Sequence, residues 1–435
     1  MKQNSFKVAS LGIQHVLAMY AGAVIVPLII GGALKFSGQQ LTYLVSIDIL
    51  TSGIATILQV WQNRFFGIGL PIVLGCTFTA VGPIIAIGSQ FGLGAIYGSI
   101  MMSGLIVILI SKYFGKLIKF FPPVVTGSVV TIIGITLIPV AMNNIAGGQG
   151  SPDFGAISNI SLAFGTLLVI IVINRFFKGF IRSISILLGI LVGTIAASLM
   201  GKVNLAPVAQ ASWFHMVKPF YFATPTFELT PIITMTLVAI VSLVESSGVY
   251  FALSDITGRK LSESDLAKGY RAEGLASIIG ALFNSFPYTT YSQNVGLVQL
   301  SGVKSKNVIY TTGSILILLG LVPKIGALTT VIPTPVLGGA MVAMFGMVIA
   351  YGIKMLSKVE FASQENLLII ACSVGMGLGV TAVPNLFSHM PDSVKILTNN
   401  GIVAGSLTAI FLNIIYNVRP FKKNQLKENN TQSAA

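Results

Sequence analysis

A few polar side chains inside apolar segments are the residues of this sequence that could bind a ligand or carry a proton. Glu245 lies within the run Ala-Ile-Val-Ser-Leu-Val-Glu-Ser-Ser-Gly. A charged group in the middle of a bilayer-spanning segment costs at least ~2.5 kcal/mol and is a functional candidate by default. We therefore predict a functional carboxyl at Glu245. The alternative is a structural carboxylate held by hydroxyls such as that of Ser246.

Three more ionisable residues fall inside apolar segments or at their edge: Glu273, Asp48 and His15. Glu273 is either a proton-carrying group or a carboxylate near the start of a helix. For Asp48 we favour a structural role, a hydrogen bond to a neighbouring helix. His15 follows Gln14; a buried histidine is commonly structural, but a free imidazole titrates near neutral pH and so also suits proton transfer.

The short polar segment 289–303 is the most informative stretch of the sequence. Gln293 and Asn294 carry amides with donors and acceptors in one plane, which suits a flat heterocycle with N–H and C=O edges. Tyr291 could stack on such a ring. Gly296 and Gly302 would let the backbone approach closely. The alternative is a polar span whose groups are satisfied by water and by neighbouring helices.

Enzyme chemistry is not indicated. A nucleophile–base pair or a metal cluster is what an enzyme site needs, and the sequence offers neither, nor a phosphate-binding loop. Cys76 and Cys372 both lie in apolar runs, where cysteine behaves as a small hydrophobic residue. We therefore predict no catalytic residues, no metal site and no cofactor.

The composition identifies the class of protein that positions these residues. Hydrophobic residues make up 54% of the 435 residues and charged residues 9%, whereas soluble domains carry about 25% charged residues. This excludes an ordinary soluble enzyme, a disordered chain and a disulfide scaffold. It predicts an all-α membrane protein with many spans.

Fourteen apolar segments are long enough, or nearly so, to cross a bilayer. Segment 70–89 is interrupted by Pro and Gly, and segment 289–303 is short and polar, so both are predicted to be broken spans. The predicted spans are 10–33, 40–61, 70–89, 92–111, 121–142, 157–175, 180–200, 229–253, 271–286, 289–303, 308–326, 332–353, 365–383 and 397–417.

The basic residues orient these spans. With the N-terminus inside, 21 of the 26 Lys and Arg residues fall on the cytoplasmic side. Such an excess is the usual positive-inside asymmetry and places both termini in the cytoplasm. It also explains the net charge of +14 without nucleic-acid binding. The five basic residues predicted outside are Lys35, Lys202, Lys218, Lys324 and Lys395.

An internal repeat connects the two broken spans. One Pro-Gly-Gly pattern occurs with the same spacing in residues 123–134 and 335–346, an offset of 212 residues that also relates the third span to the tenth. Seven spans are an odd number, so the halves 1–215 and 216–435 form an inverted repeat. Broken spans at matching positions of inverted halves indicate a binding site near the membrane midplane, as in secondary transporters.

The motif Gln293-Asn-Val-Gly296-Leu-Val-Gln-Leu-Ser301-Gly302 resembles the signature of the nucleobase-ascorbate transporters. The Gln-His pair before Val16, the Glu in Leu-Val-Glu-Ser and the Glu-Gly pair after Ala272 are similar as well. The resemblance extends from residue 12 to about residue 417. It is most specific at 287–303, and it is strongest to the bacterial xanthine permease branch.

The resemblance implies an architecture. Fourteen spans would form a core domain, from spans within 10–111 and 229–326, and a gate domain, from spans within 121–200 and 332–417. Each broken span would be a short β-strand followed by a half-helix. Homodimers and symport with a proton are implied, with sodium the less favoured coupling ion.

The resemblance also implies roles for the substrate-binding residues. Glu245 would accept N–H hydrogen bonds from a nucleobase, and Gln293 would bind the base through both ends of its amide. Asn294 would brace the site. Thr77 and Phe78, at the strand–helix junction of span three, would contact the base and tune the choice of purine.

Other positions depart from the family pattern or concern the proton. Glu273 would match an acid linked to proton coupling, although many relatives have Asp there, and His15 would match a histidine linked to affinity or coupling. Tyr291 stands where Phe is frequent. Ser301 replaces the usual Thr and keeps a hydroxyl, whereas Gly302 is shared with the bacterial purine branch.

The resulting expectation is proton-coupled import of xanthine by alternating access across the cytoplasmic membrane, with Glu245, Glu273 or His15 carrying the proton. Urate, another purine or uracil remain alternative substrates on the same fold. An anion carrier and a channel are the alternatives of a different class. The other expected partners are the lipid bilayer and a second copy of the chain.

Overall fold

Helices make up most of the protein in the computed structural model, which describes residues 5–117, 121–214, 216–383, 385–391, 395, 398 and 400–418. Residues 397 and 399 of the predicted last span lie outside the described residues. Residue 215, the last of the predicted first half, also lies outside the described residues, as do residues 419–435 of the predicted second half.

The first half of the chain contains nine helices and one strand among the described residues. They are α1 (Ser5–Ala33), α2 (Gly38–Val60), β1 (Leu74–Cys76), a 3-10 turn (Phe78–Ala80), α3 (Val81–Phe91), α4 (Leu93–Leu117), α5 (Pro123–Ile145), α6 (Ile157–Phe176), α7 (Gly179–Ser183), α8 (Ser185–Leu199) and α9 (Ala206–Gln210).

The second half follows a similar order. Its described elements are α10 (Leu229–Thr257), α11 (Glu263–Leu282), β2 (Tyr288–Thr290), α12 (Ser292–Ser301), α13 (Lys306–Gly320), α14 (Pro323–Thr330), α15 (Thr334–Leu356), α16 (Gln364–Ala382) and α17 (Gly401–Asn413), which ends in a π-helical turn (Ile414–Val418).

The lengths and composition of these helices are those of a multi-pass membrane protein. Within the described residues, eight helices are long and apolar enough to cross a bilayer: α1, α2, α4, α5, α6, α10, α15 and α16. The bent pair α13 and α14 makes a ninth if it is one span. The predicted class of helical membrane protein is confirmed, and the count of fourteen spans stays a prediction.

The two segments predicted to be broken spans meet at a pair of strands. β1 and β2 pair antiparallel, with Leu74 opposite Thr290 and Cys76 opposite Tyr288. Each strand is followed by a short helix, α3 of 11 residues and α12 of 10 residues. The strands satisfy one another's backbone groups, which is the condition for irregular backbone inside a membrane protein.

Two element boundaries differ from the sequence-based expectation. α11 begins eight residues before the predicted span at 271, because Ser262 and Asp265 form a capping box that starts a polar first turn. The predicted span 308–326 is bent by 79° between α13 and α14. Val322 is extended there because it precedes Pro323, and a residue before proline avoids helical geometry.

Close helix contacts are made through glycines. A Cβ on Gly127 of α5 would lie 2.7 Å from the Leu356 side chain, and one on Gly352 of α15 would lie 2.6 Å from the Thr131 backbone nitrogen. α5 and α15 therefore cross antiparallel at a distance that only glycine allows. Small residues are typical of helix interfaces in membranes, because they let the backbones approach closely.

One exposed ion pair joins the loop after α5 to the end of α8. Lys202 Nζ lies 3.3 Å from Asp153 Oδ2 and also donates to Asn159. Hydrogen bonds from Ser151, Asn159 and Lys202 lower the pKa of Asp153 to about 2. Because a carboxylate with a lowered pKa stays ionised above that value, Asp153 contributes no pH dependence in the neutral range.

Candidate functional site

The middle of α10 places Glu245 beside the junction of β1 and α3. Glu245 is half-buried, and its carboxyl interacts with the Thr79 side chain. The two groups do not reach hydrogen-bond geometry, since Thr79 Oγ1 is buried without a hydrogen-bond partner among the described residues. α10 also packs against α12. The Glu245 carboxyl is therefore free to bind a ligand at the place where both half-helices begin.

Glu273 is buried in a network that connects α2, α10 and α11. Its Oε1 accepts from the Tyr250 hydroxyl and lies 3.5 Å from Gln59 Nε2, while its Oε2 accepts from Ser246 at 3.0 Å. Gln59 Nε2 also donates to the Tyr250 oxygen, so the Tyr250 proton is available for Glu273. Glu273 is thus a buried, fully hydrogen-bonded carboxyl rather than an exposed helix-start residue.

The start of α12 carries the two predicted amides in contrasting environments. Gln293 is exposed and makes no hydrogen bond with the described residues, so its amide can meet a ligand. Asn294 is 2% exposed, and its Nδ2 donates to the His15 carbonyl at 3.1 Å and contacts His15 Nδ1 at 3.0 Å. The carbonyl bond fixes the Asn294 amide orientation. His15 Nδ1 is therefore an acceptor, and the imidazole is neutral.

Thr77 and Phe78 begin the 3-10 turn after β1. Thr77 is 1% exposed, its Oγ1 accepts from the Thr79 N–H at 3.2 Å, and it lies 3.4 Å from Ser242 Oγ. Its hydroxyl is largely used within the protein. Phe78 is only partly buried and makes an edge contact with Phe345 of α15, with 5.7 Å between ring centroids. Phe78 is therefore the residue of this pair with an accessible face.

The predicted stacking role of Tyr291 is not what the structure shows. Its ring is 4% exposed and lies between α1 and β1, so a Cβ on Gly22 would come within 3.0 Å of the ring and one on Gly75 within 2.6 Å. Its hydroxyl donates to the Cys76 carbonyl at 3.1 Å. The ring is enclosed by the glycines on either side, so Tyr291 fixes the start of α12 and leaves no face for a ligand.

We expect Tyr291→Phe to leave the order of competing purines unchanged. The ring packing stays, and the lost hydrogen bond to the Cys76 carbonyl should lower the free energy of unfolding by about 0.5–1.5 kcal/mol. Competition of unlabelled bases against labelled substrate, together with thermal unfolding of the purified protein, measures both effects. A changed order of competitors would contradict the packing role.

The two predicted glycines serve geometry in different ways. Gly302 ends α12 with a φ of 64°, a left-handed conformation that favours glycine. A Cβ on either Gly296 or Gly302 would meet no atom within 4 Å, so the predicted close backbone approach is absent at both. Gly296 instead belongs to the exposed face of α12 that also carries Gln293.

A second buried carboxyl lies on the other side of the strand pair. Asp48 is 0% exposed, and its Oδ1 accepts from Ser285 at 2.8 Å and from the Tyr288 hydroxyl at 3.0 Å. Its Oδ2 is buried without a hydrogen-bond partner among the described residues. Asp48 thus makes structural hydrogen bonds, but its partners lie just before β2 and in β2 rather than in the neighbouring helix that we predicted.

Cavity size does not identify the site. A cavity of about 450 Å³ lies beside the short helix α9 and is lined by residues such as Tyr43, Tyr221 and Pro207. It contains none of the predicted residues, and we assign the site from the unpaired polar groups instead. A cavity of about 20 Å³ borders Glu273, Ser242 and other residues, which is room for about one water molecule.

Metal ligands are not grouped in the part of the chain that the structure describes. Within those residues, no cluster of three or more His, Cys, Asp or Glu side chains could hold a metal ion. The arrangement instead offers an unpaired carboxyl at Glu245 and an unpaired amide at Gln293, near the first turns of two short helices. Such a set can bind a small polar molecule.

Comparison with known proteins supplies the family. A family model described as "Permease family" (Xan_ur_permease) matches residues 6–386. The chain belongs to the nucleobase-ascorbate transporter family. Its relatives are permeases, so this family member is a transporter and not an enzyme.

Two relatives are similar to this transporter in sequence, and one solved structure is similar to it in fold alone. It is 66% identical to the xanthine permease of Bacillus subtilis (strain 168) over 96% of this chain and 95% of the relative. It is 63% identical to the uric acid permease PucK of the same organism, over 96% and 97%. The transmembrane domain of a cyanobacterium bicarbonate transporter, BicA, matches in fold alone, with a TM-score of 0.61, 15% identity and coverage of 94% and 98%.

Proposed function

We propose that the protein imports xanthine together with a proton across the cytoplasmic membrane by alternating access. The observation that carries this proposal is the pair of unpaired polar groups, the carboxyl of Glu245 and the amide of Gln293, at the start of the two half-helices. Relatives named for xanthine and for uric acid, at 66% and 63% identity, support a purine substrate. Urate is the second candidate.

The chemistry of a purine dione suits these groups. Xanthine presents ring N–H donors and two carbonyl acceptors along its edge. A carboxylate accepts N–H bonds strongly, and an amide can pair with a neighbouring N–H and C=O. Backbone N–H groups in the first turn of α3 and of α12 are available to carbonyl oxygens. Phe78 offers an aromatic face beside the 3-10 turn.

The proposed architecture is fourteen spans in two inverted halves, with a core and a gate domain. The order of the elements supports it: α1 and α10 each have 29 residues, α5 and α15 each have 23, and each half contains one strand followed by a short helix. The antiparallel pairing of β1 with β2, and of α5 with α15, is what a twofold relation between the halves requires.

The proposed coupling ion is a proton, with sodium less favoured. Glu245, Glu273 and His15 remain the candidates for the coupled proton. Glu273 is favoured because it is buried and accepts hydrogen bonds from Tyr250 and Ser246, while the Asn294 contact holds His15 neutral. The carboxyl of Glu245 also disfavours an inorganic anion as substrate, because a carboxylate repels anions. A channel is disfavoured as well, because inverted repeats are typical of transporters that work by alternating access.

Location and assembly complete the proposal. We infer that the protein resides in the cytoplasmic membrane with both termini in the cytoplasm, from the distribution of its basic residues. A homodimer is inferred from the family resemblance. Neither nucleic acid nor a cofactor takes part in the proposed cycle.

Uptake of radiolabelled xanthine and urate in cells that lack their own purine permeases tests the proposal. We expect accumulation that collapses with a protonophore and is competed by xanthine or urate more strongly than by guanine, hypoxanthine or uracil. Uptake of a different base would keep the transporter and reject the substrate. No uptake of any base by a well-produced protein would reject nucleobase transport.

A further inference from the structure

The hydrogen bonds of Glu273 determine which of its oxygens can hold a proton. Oε1 accepts the Tyr250 proton, and Gln59 Nε2 lies 3.5 Å from the same oxygen. The two hydrogens of Gln59 Nε2 are used by the Gly269 carbonyl and the Tyr250 oxygen, and its Oε1 accepts the Ile68 N–H at 3.3 Å. Because Gln59 donates to the Tyr250 oxygen, Tyr250 must donate its own proton to Glu273 Oε1, and a proton added to that oxygen would displace this bond. A proton on Glu273 therefore lies on Oε2.

Oε2 faces the hydroxyl of Ser246, which is 0% exposed. Ser246 Oγ lies 3.0 Å from Glu273 Oε2 and 2.9 Å from Thr289 Oγ1. The Thr290 N–H and hydroxyl also lie 3.4 Å and 3.2 Å from Ser246 Oγ. A hydroxyl oxygen has two lone pairs, so it accepts from at most two donors at once, and one Thr290 donor gives way when Thr289 or a protonated Glu273 donates to it. A serine hydroxyl has one proton to donate, so it can donate either to Glu273 or to Thr289 but not to both.

The protonation state of Glu273 decides between these two arrangements. When Glu273 is ionised, Ser246 donates to Oε2 and Thr289 can donate to Ser246. When Oε2 carries a proton, that proton is donated to Ser246 Oγ, and Ser246 must turn its own proton towards Thr289. The Thr289 hydroxyl then changes from donor to acceptor. Protonation of Glu273 on α11 in this way changes the hydrogen bonding of Thr289 on strand β2.

The two ends of this connection reach the groups that are free to bind a ligand. Ser246 follows Glu245 directly in α10. Thr289 is the central residue of β2, opposite Gly75 of β1, and β2 leads through one residue into α12, where Gln293 lies in the first turn. A change in the hydrogen bond between Ser246 and Thr289 therefore acts on both elements that carry unpaired polar groups.

Charged neighbours do not offer Glu273 another neutralising partner. The titratable groups that face it are Tyr250 and Glu245 on α10, Tyr270 on α11 and Tyr288 on β2. The two ion pairs found among the described residues lie elsewhere in the molecule. A proton is thus the neutralising partner that the described surroundings of Glu273 leave available.

We propose that Ser246 is a positioning residue that couples the protonation of Glu273 to substrate binding, by donating its single hydroxyl proton to Glu273 in one state and to strand β2 in the other. This inference rests on the proposed proton-coupled function. Ser246 acts through Glu273 and Thr289, and it need not touch the substrate.

Exchange of labelled for unlabelled purine in preloaded membrane vesicles, with no pH gradient, tests the inference. The substrate is xanthine or urate, as the uptake assay selects. In the wild-type protein we expect the KM for exchange to change at least about fivefold between about pH 6 and pH 8, a typical coupling between two ligands. In Ser246→Ala and in Thr289→Val the change should fall below about twofold, while exchange persists.

Matched variants separate coupling from packing. Ser247→Ala removes the adjacent buried hydroxyl, which bonds to Leu243 and Tyr270 instead, and should keep the wild-type pH dependence. Ser246→Thr retains a hydroxyl and should keep it too. Because ionisation of the purine is the same for every variant, differences between variants report on the protein.

The outcomes distinguish the two proposals. Wild-type pH dependence retained in both Ser246→Ala and Thr289→Val would overturn the role of Ser246 and leave proton-coupled transport intact. Exchange in the wild type with no pH dependence would reject proton coupling and the inference with it. If Ser246→Ala does not reach the membrane, Thr289→Val decides alone, because it removes the second partner of the same hydroxyl.

Discussion

Glu245→Gln should reduce kcat/KM for purine uptake about 10- to 100-fold, since it replaces a charged acceptor by a neutral amide. Hydrogen bonds to charged groups contribute about 1.5–3 kcal/mol, and each 1.4 kcal/mol corresponds to a factor of about ten. The amide also presents an N–H group to the N–H edge of the base, so part of the loss is repulsive. Initial rates over a range of substrate concentrations measure the effect.

In the structure, this substitution removes no hydrogen bond within the described residues, so it tests ligand binding rather than stability. Glu245 makes no hydrogen bond of standard geometry with the described residues, so its replacement by a residue of the same size should leave the temperature of unfolding unchanged. Glu228→Gln, at the start of the same helix α10, is the matched control and should transport at the wild-type rate. Wild-type uptake by Glu245→Gln would remove Glu245 from the binding site.

Residue type alone selected Glu245 and Gln293 as candidates, because a polar group inside an apolar segment is costly, and their role in binding stays a prediction. The two breaks in the spans were predictable from local sequence as well. Pro and Gly interrupt segment 70–89, segment 289–303 is short and polar, and the structure has a strand at each predicted break.

Partners that meet across long stretches of sequence were not predictable. Gln59 meets Tyr250 at a separation of 191 residues and Glu273 at 214, and no spacing rule relates such positions. The same holds for Tyr291, whose ring is enclosed by glycines of α1 and β1. A polar or aromatic residue indicates what it could bind, whereas the packing of distant helices decides whether a ligand or the protein itself binds it.

Packing next to Glu273 also makes one glycine indispensable. A Cβ on Gly274 would lie 2.7 Å from the Gly104 carbonyl oxygen and 2.9 Å from the Ile108 side chain, and a Cβ on Gly104 would in turn lie 2.6 Å from the Gly274 carbonyl. α4 and α11 thus touch backbone to backbone. Because the obstructing atoms belong to a helix backbone, they cannot move aside as a flexible side chain would.

Gly274→Val should therefore force α4 and α11 apart and displace Glu273, its neighbour in the chain. Overpacking of a filled interior costs about 1–3 kcal/mol, so we expect a lower temperature of unfolding together with loss of proton-driven uptake. Gly375→Val on α16 is the matched control, since a Cβ there meets no atom within 4 Å. It should match the wild type in both measurements. Wild-type stability and uptake in Gly274→Val would mean that α4 and α11 do not approach as closely as the structure has them.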